Sequence, residues 1–389
     1  NVPNLRFPEF SGEWEMSSIG EQFELYSGNT PSRMNKNQFD GSINWITSGE
    51  LKEHYISDTK EKISEEAAKN NSLKLLPVGT FVIAIYGLEA NGVRGTCSIT
   101  TRESTISQAC MAFTSKMDIQ NEFLYSWYKK HGNIIGIKYA QGTKQQNLSY
   151  DIIERFNISY PCMEEQKKLI RFISLIDQRI ATQNKIIEDL KKLKSAIIEI
   201  EYSPKDSYHS HIGGAIVQIS KRNKDNHLCN VLSVSNRQGF IKQSEQFEDR
   251  NVASDDTSNY KIVEKNDFAY NPARINVGSI ARLTKFETGI VSPMYICFRT
   301  KDCLLPEYLE LFFESRNFFY HIQKRLEGSV RLCLSYEELC NIPIVIPSIE
   351  KQKQVDLHLS KLAQKIDLEM KILQFVQQQK TYLLHQMFI

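Results

Sequence analysis

Two stretches of the chain decide its fold: residues 148–180, LSYDIIERFNISYPCMEEQKKLIRFISLIDQRI, and residues 334–366, LSYEELCNIPIVIPSIEKQKQVDLHLSKLAQKI. At a constant offset of 186 residues, 11 of the 33 aligned positions are identical, including Pro161 with Pro347. Upstream of these stretches the same offset aligns Lys138 with Lys324, and Gly142 with Gly328. An internal repeat of this kind predicts two similar units in a pseudo-twofold arrangement.

Length and composition set the broad class of the protein. A chain of 389 residues with 41% hydrophobic and 24% charged residues is typical of a soluble protein of two to four structural units. No apolar run approaches 18 residues, so we expect no membrane span. The eight cysteines lie far apart without a CxxC pair, which favours free thiols in a reducing cytoplasm over disulfides or a zinc site. A net charge of +2 means that any nucleic-acid surface must be a local patch.

Composition divides the chain into four segments: 1–160, 161–202, 203–347 and 348–389. Residues 164–200 and 350–388 contain no Gly or Pro and place apolar residues at helical spacing, which predicts two long helices. The segments before them mix short strand-like runs with turn residues, which predicts mixed α/β units. The fold class expected is therefore α+β, with two mixed α/β domains in pseudo-twofold repeat and two long helices.

The two predicted helices share one heptad register. A narrow seam of this kind needs a partner helix, and we expect each long helix to pair with the other in an antiparallel coiled coil. The alternative is that each is an ordinary amphipathic helix packed on its own domain. The seam positions are Ile173, Ile176, Ile180, Ile187, Leu190 and Ile197 in the first helix, and Leu359, Leu362, Ile366, Leu373, Val376 and Leu383 in the second.

A strand and a proline precede each long helix. Residues 156–160 and 342–346 are apolar and strand-like, and Pro161 and Pro347 then force an extended residue before them. Glu164 and Glu350 follow in the predicted first turn, where a negative charge meets the positive end of the helix dipole. The sequence predicts a strand, a break and a long helix in both halves.

The segment before each long helix carries groups that suit DNA. Between Phe123 and Tyr150 there is no Asp or Glu, while several Lys residues occur beside aromatic residues. Cations near phosphates supply affinity through counterion release, and amides and guanidinium groups read base edges. The alternative is that these are ordinary solvated loops. The candidate DNA-binding residues are Asn91, Arg94, Lys138, Thr143, Lys144, Gln145, Gln146 and Asn147 in the first half, and Arg274, Asn276, Lys324, Arg325, Ser329 and Arg331 in the second.

Motifs for catalysis are weak in this chain. Residues 271–274, Asn-Pro-Ala-Arg, are similar to the Asn-Pro-Pro-aromatic site of amino methyltransferases, but Arg274 replaces the aromatic residue that would stack on a flipped base. No glycine-rich cofactor loop follows a strand. His209 and His211 lack a carboxylate or cysteine partner at a spacing that suits a metal. We therefore predict no catalytic residues, no metal site and no cofactor in this chain.

The order and duplication of several motifs resemble the specificity subunits of type I restriction-modification systems. The resemblance is carried by the opening LRFPEF (5–10) with GEW (12–14), by GNTPS (28–32) and WITSGE (45–50), by the loop 142–149, and by residues 161–166 leading into a long helix. It covers nearly the whole chain. The second half departs from it, because it lacks a good copy of residues 5–14, and residues 211–213 are the candidate counterpart of residues 18–20.

The resemblance implies a non-catalytic subunit. In such a protein, two target recognition domains, here 1–160 and 203–347, each read one half of a bipartite sequence in double-stranded DNA. Two long helices, here 161–202 and 348–389, form an antiparallel coiled coil that separates the domains and binds two methyltransferase subunits. Restriction subunits complete the assembly, and S-adenosylmethionine, ATP and Mg²⁺ are bound by the partner subunits. A cytoplasmic location is implied.

A different function stays open from the sequence. A structural coiled-coil adaptor with paired protein-binding domains would show the same repeat and the same helices. Salt dependence separates the two functions, because a DNA reader loses affinity linearly in a log–log plot against salt. An adaptor with an apolar interface would not show that slope.

Overall fold

The structure of the chain, a computed structural model, describes residues 1–90, 92–116, 118–203, 210–236, 238–246, 256–327 and 332–389. These residues form two units. Unit 1 comprises Asn1–Asn184 and Lys371–Ile389, and unit 2 comprises Lys185–Met370. Each long helix contributes one part to each unit. The division into four segments that composition suggests stays a prediction.

Unit 1 is a mixed α/β unit. Its strands form a five-stranded sheet in the order β2-β9-β6-β7-β4, a three-stranded sheet in the order β5-β3-β8, and the antiparallel pair β1-β10. Its elements are β1 (Glu15–Ser18), α1 (Ile19–Gln22), β2 (Phe23–Ser27), a 3-10 turn (Lys36–Phe39), β3 (Ile43–Ile46), a 3-10 turn (Ser48–Glu50), β4 (Tyr55–Ile56), β5 (Lys62–Ile63), α2 (Glu65–Asn70), β6 (Phe81–Ala84), β7 (Cys97–Thr100), β8 (Ser104–Ile106), β9 (Cys110–Ser115), α3 (Asn121–Tyr139), α4 (Tyr150–Glu154), β10 (Asn157–Tyr160) and the first part of α5 (Met163–Glu201).

Unit 2 repeats this plan with two four-stranded sheets. Their strand orders are β11-β18-β15-β16 and β13-β12-β17-β14. After the second part of α5, its elements are α6 (Ile212–Ala215), β11 (Ile216–Ile219), β12 (Val231–Ser235), β13 (Gly239–Lys242), α7 (Gln243–Gln246), β14 (Lys261–Glu264), β15 (Phe268–Tyr270), a 3-10 turn (Ile275–Val277), β16 (Ile280–Arg282), β17 (Thr288–Val291), β18 (Ile296–Thr300), α8 (Pro306–Phe313), α9 (Arg316–Arg325), α10 (Tyr336–Cys340) and α11 (Ile349–Met387).

The two long helices, α5 and α11, run antiparallel in each unit. In unit 1 the start of α5 lies beside the end of α11, where Lys380 Nζ is 2.5 Å from Asp177 Oδ1. In unit 2 the end of α5 lies beside the start of α11, where Lys351 Nζ is 3.7 Å from Glu201 Oε2. The predicted α+β fold with two long antiparallel helices is confirmed. In the described part of the chain, no helix has the length and apolar character needed to cross a membrane.

None of the predicted seam side chains is exposed on the surface. Each unit buries part of the seam in its core: Ile173 shares the unit 1 core with Leu384, and Leu359 shares a unit 2 core with Ile198. This is the burial that an apolar heptad pattern requires. Fully buried are Ile173, Ile187, Leu359 and Ile366, and half-buried are Ile176, Ile180, Leu190, Ile197, Leu362, Leu373, Val376 and Leu383.

The strand expected before the first long helix is present in unit 1. There β10 pairs antiparallel with β1. Residues 342–346 form one isolated bridge, between His211 and Pro343, and the N–H of Ile344 donates to Ser210 O at 3.0 Å. Residues 204–209, which precede Ser210, lie outside the described part of the chain, so the second full strand stays a prediction.

One buried glutamine at the start of each long helix holds the surrounding backbone. Gln166 donates from Nε2 to Asp118 O (2.6 Å) and Pro161 O (3.0 Å), and its Oε1 accepts the N–H of Gln120 (3.0 Å). This side chain is fully buried. We call the arrangement the glutamine clamp. It ties the proline break and the start of α3 to α5.

Gln352 repeats the glutamine clamp in unit 2. Its Nε2 donates to Cys303 O (3.0 Å) and Pro347 O (2.9 Å), and its Oε1 accepts the N–H of Leu305 (2.8 Å). This side chain is also fully buried. The identity of these two residues in the repeat therefore reflects the same structural role.

Other packing differs between the two units. In unit 1, Arg6 makes a two-pronged ion pair with the buried Glu165 of α5, with N–O distances of 2.8 and 2.7 Å. The repeat position in unit 2 is the exposed Lys351. The two units therefore hold the start of their long helices differently outside the glutamine clamp.

We predict that Gln166→Ala lowers the free energy of unfolding by about 2–3 kcal/mol, because it leaves a buried N–H and two carbonyls without partners. Gln352→Ala should have a similar effect. Urea unfolding of the full chain measures both. The matched control is Gln178→Ala, since Gln178 is identical in the repeat (Gln364) but exposed. Equal stability of the Gln166 and Gln178 variants would contradict the clamp.

A second prediction concerns pH. The ring of His131 on α3 lies beside Trp127, its Nε2 is 3.1 Å from Ile389 O, and burial lowers the pKa of His131 to about 4. Unfolded histidine titrates near 6.5, so between about pH 6.5 and 4 the unfolded state binds more protons and stability falls as pH falls. Allowing for partial exposure, we expect a loss of about 1–2 kcal/mol across this window.

The variant His131→Gln keeps a donor for Ile389 O and removes the titrating group. We expect its unfolding free energy to depend less on pH between about 4 and 6.5. The exposed His358, replaced in the same way, is the control. An unchanged pH slope in the His131 variant would show that this ring does not cause it.

Candidate nucleic-acid interface

Both units close the loop before α4 or α10 with the same pair of backbone hydrogen bonds. In unit 1 the N–H groups of Gln141 and Asn147 each donate to the other residue's carbonyl, at 2.8 and 2.9 Å. In unit 2 Glu327 and Cys333 do the same at 3.0 and 2.8 Å. These pairs stand at the repeat offset, so the frame of the loop is duplicated. We call residues 141–147 and 327–333 the closed loops; residues 328–331 of the second lie outside the described part of the chain.

Each closed loop lies against a second loop that joins two strands of the sheet. The N–H of Leu148 donates to Ile85 O, just after β6, at 2.9 Å. The N–H of Leu334 donates to Pro272 O, just after β15, at 3.1 Å. The two candidate loops that the sequence placed in each half are therefore neighbours in space.

Two predicted residues of unit 1 are in direct contact. The guanidinium Nη2 of Arg94 donates to Gln146 Oε1 at 2.6 Å. The backbone of Gln146 is held as well, because its N–H donates to Glu89 Oε2 at 2.7 Å and its carbonyl accepts the N–H of Leu88 at 3.0 Å. The Gln146 N–H lowers the pKa of Glu89, with a smaller contribution from the Arg94 charge.

A glycine in α3 makes room for the Arg94 side chain. A Cβ added at Gly136 would lie 2.5 Å from Arg94 Cγ. Any other residue at position 136 would displace the arginine stem. The tip of the closed loop is open by contrast, and Thr143, Lys144 and Gln145 are exposed, while Asn147 is half-buried.

Lys138 and Lys324, which are aligned in the repeat, have similar surroundings. Both are exposed near the end of a helix that leads into a closed loop. Lys138 Nζ is 5.3 Å from the ring centre of Tyr139, and Lys324 Nζ is 4.3 Å from that of Tyr320. An exposed cation beside an aromatic ring suits contact with a nucleic-acid backbone.

Some predicted residues of unit 2 are exposed, and one is hydrogen-bonded to the protein. Arg274 and Asn276 are exposed on the loop after β15. Arg325 is half-buried: its guanidinium bonds to His321 O at 3.3 Å and Asn341 O at 3.2 Å, and it lies 3.6 Å from the Glu338 carboxylate. The predicted residues Asn91, Ser329 and Arg331 lie outside the described part of the chain.

Some side chains beside the loops were not predicted from the sequence. In unit 1, Glu89 and Tyr86 are exposed next to the closed loop. In unit 2, the exposed Val277 and Leu332 occupy the corresponding region. Their position within the two candidate loops was a signal in the sequence, but none of them is a cation or an amide, the groups expected to contact DNA.

One lysine of α3, Lys130, is bound to the protein itself and is not free to contact DNA. Lys130 Nζ donates to His385 O (3.2 Å) and Phe388 O (2.6 Å) at the end of α11, and burial lowers its pKa. Cations at a helix C-terminus stabilise the helix. Lys130 therefore fixes α11 in unit 1.

The turn that is similar to a methyltransferase motif has a structural role in this fold. Asn271 is buried, and its side-chain oxygen accepts the N–H of Ala273 at 3.1 Å. This is an Asx turn, which fixes the loop after β15. The exposed Arg274 follows it at the position where an aromatic residue would be needed.

Comparison with known proteins agrees with this geometry. Residues 11–192 match the type I restriction modification DNA specificity domain. The specificity subunit of the type I restriction enzyme MjaIX from Methanocaldococcus jannaschii is 28% identical over 199 residues, which are 49% of this chain and 45% of that protein. A type I restriction enzyme specificity subunit from Escherichia coli is 28% identical over 192 residues, 48% of this chain and 46% of that protein. The matches thus span about half the length of these relatives.

Two solved structures share the fold along the chain. The S subunit of a type I restriction-modification system from M. genitalium has a TM-score of 0.56 at 15% identity, covering 100% of this chain and 99% of that one. An HsdS subunit from Thermoanaerobacter tengcongensis has a TM-score of 0.50 at 13% identity, covering 99% and 98%. Residues 11–192 are therefore similar in sequence to the DNA specificity domain of type I restriction-modification systems, and the chain shares its fold with these two solved subunits.

Proposed function

We propose that this chain reads a bipartite DNA sequence, with one half recognised by each unit, and directs partner subunits that methylate and cleave DNA. The observation that carries the proposal is the pair of closed loops, which share one frame of two closing hydrogen bonds but differ in side chains. Gln146 of unit 1 stands where unit 2 has the exposed Leu332. One frame with different side chains is what two readers of different bases require, since base edges are distinguished by donor, acceptor and methyl patterns.

Affinity in this proposal comes from exposed cations near the loops. Lys138 and Lys144 in unit 1, and Lys324 and Arg274 in unit 2, are exposed. Neutralised phosphates release counterions, so these residues would bind all sequences alike. The candidate site residues Asn91, Thr143, Gln145, Asn147, Asn276, Arg325, Ser329 and Arg331 remain part of the proposed interface.

The long helices support a proposal about partners, because each carries exposed apolar residues at the same intervals. On α5 these are Leu175, Ile186, Leu193 and Ile200, and on α11 they are Leu357, Leu368, Phe375 and Tyr382. Intervals of 11, 7 and 7 residues place four side chains within about 20° on either side of one line along a helix. We call these two sets the apolar stripes. The two stripes have the same spacing and lie about one helical turn short of the repeat offset, which supports two similar partner surfaces.

The partners we propose for the stripes are two methyltransferase subunits, which restriction subunits would join. In this assembly S-adenosylmethionine, ATP and Mg²⁺ bind to the partner subunits, and this chain is non-catalytic. The cytoplasm, where its DNA substrate lies, is the proposed location.

The first test exchanges one reader. We expect a graft of residues 203–347 from a related specificity subunit to change one half of the methylated sequence and leave the other intact, because each unit has its own closed loop. Sequencing methylated sites in cells that carry the chimera and its partners measures the change. A chimera that alters both halves would contradict independent reading.

The second test addresses the apolar stripes. We expect Leu193→Glu or Phe375→Glu to weaken binding of one methyltransferase copy by about tenfold or more, since buried apolar anchors dominate interface energy. Native mass spectrometry of the assembly should then show one partner in place of two. The exposed residues Lys191 and Gln374, off the stripes, are the controls when changed to Glu. Retention of two partners in every variant would show that the stripes do not bind them.

A further inference from the structure

The contact between Arg94 and Gln146 fixes which way one amide points. A guanidinium group carries only donors, so the atom of Gln146 that faces Arg94 must be the amide oxygen. The distance of 2.6 Å is that of a charge-assisted hydrogen bond. The amide nitrogen has no partner among the described residues and is not buried, so it reaches solvent.

Gln146 cannot easily turn out of this orientation. The backbone of Gln146 is held on both sides: its N–H donates to the Glu89 carboxylate, and its carbonyl accepts the N–H of Leu88. Arg94 is fixed in turn, because its stem occupies the space that Gly136 leaves open on α3. The amide is therefore held before any ligand arrives, which lowers the entropy cost of using it.

We propose that Gln146 reads one base as a donor only, and that Arg94 is a positioning residue that sets this chemistry. This inference rests on the proposed function. A glutamine that grips adenine with both amide atoms must place its oxygen and nitrogen side by side on the base edge. Arg94 holds the oxygen on the protein side. The outward NH₂ then selects an acceptor in the major groove: N7 of a purine, O6 of guanine or O4 of thymine.

The decisive variant is Gln146→Glu in the full chain, assembled with its methyltransferase partner. The carboxylate still accepts from Arg94, so the loop keeps its contact, but the outward donor is lost. We expect binding to fall roughly tenfold against duplexes that carry the preferred base at one target position, and discrimination at that position to disappear. Other positions should be read as before.

The wild-type assembly provides the complementary measurement. Duplexes that each lack one acceptor are used as competitors: 7-deazapurines for N7, 2-aminopurine for O6, and 5-methyl-2-pyrimidinone for O4. We expect one of them to compete roughly tenfold less well at the position that Gln146→Glu affects. Equal competition by all of them, or an unchanged base preference in Gln146→Glu, would overturn the proposal.

Two further variants separate positioning from charge. Arg94→Met keeps a stem over Gly136 and frees the amide, so the preference at that single position should change, with adenine gaining. If Arg94 instead contacted phosphate, affinity for every sequence would fall alike and the salt slope would drop by about one, which would overturn its positioning role. Gln141→Glu places the same charge on an exposed residue of the same closed loop that is not a candidate DNA contact, so a loss common to both Glu variants measures repulsion. Thermal unfolding confirms that each variant is folded.

The result for the wild-type assembly also separates this inference from the proposed function. Absence of any sequence preference in DNA binding by the wild-type assembly would contradict the proposed function itself. A clear sequence preference that Gln146→Glu and Arg94→Met leave unchanged would overturn only the donor-only reading.

Discussion

Each unit depends on one buried glutamine at the start of its long helix. The glutamine clamp joins three parts of the chain: the proline break, the backbone at the start of the next helix, and the long helix itself. Gln120 precedes α3 and Leu305 precedes α8, and these helical segments lead to the closed loops. Burying an amide whose hydrogen bonds are all made costs little folding free energy, whereas burying an amide that lacks a partner destabilises the fold. The clamp therefore fixes the position of the helices that lead to each closed loop.

In the closed loops, the hydrogen bonds that close the loop are independent of the side chains that the loop presents. The ends of each loop are held together by backbone hydrogen bonds, between Gln141 and Asn147 and between Glu327 and Cys333. Bonds of this kind do not depend on which side chains the loop carries. A polar Gln146 in one unit and an apolar Leu332 in the other can therefore stand on the same frame. Under the proposed function, this is a physical basis for changing the recognised base without refolding the unit.

Much of the architecture could be predicted from the sequence, because long apolar periodicity and proline breaks are strong local signals. The two long helices begin at Met163 and Ile349, two residues after the repeated prolines. The roles of single residues could not be predicted, since they depend on contacts distant in sequence. The identity of Gln166 in both halves was visible, but its three backbone partners were not. Likewise α3 is continuous, whereas its counterpart is split by Ser315, which caps α9 by accepting the N–H of Phe318.

The charges near the candidate interface show the same limit. A count of lysines and arginines along the sequence treats every cation as available to phosphate. In the fold, Lys130 holds the end of α11, Arg325 lies against Glu338, and Arg94 bonds to Gln146 near the Glu89 carboxylate. A cation already engaged by the protein must give up those contacts to meet phosphate, so it adds less to affinity than an exposed one. Under the proposed function, the exposed Lys138 and its counterpart Lys324 are therefore the better source of non-specific affinity, which leaves Arg94 to act through the side chain that it orients.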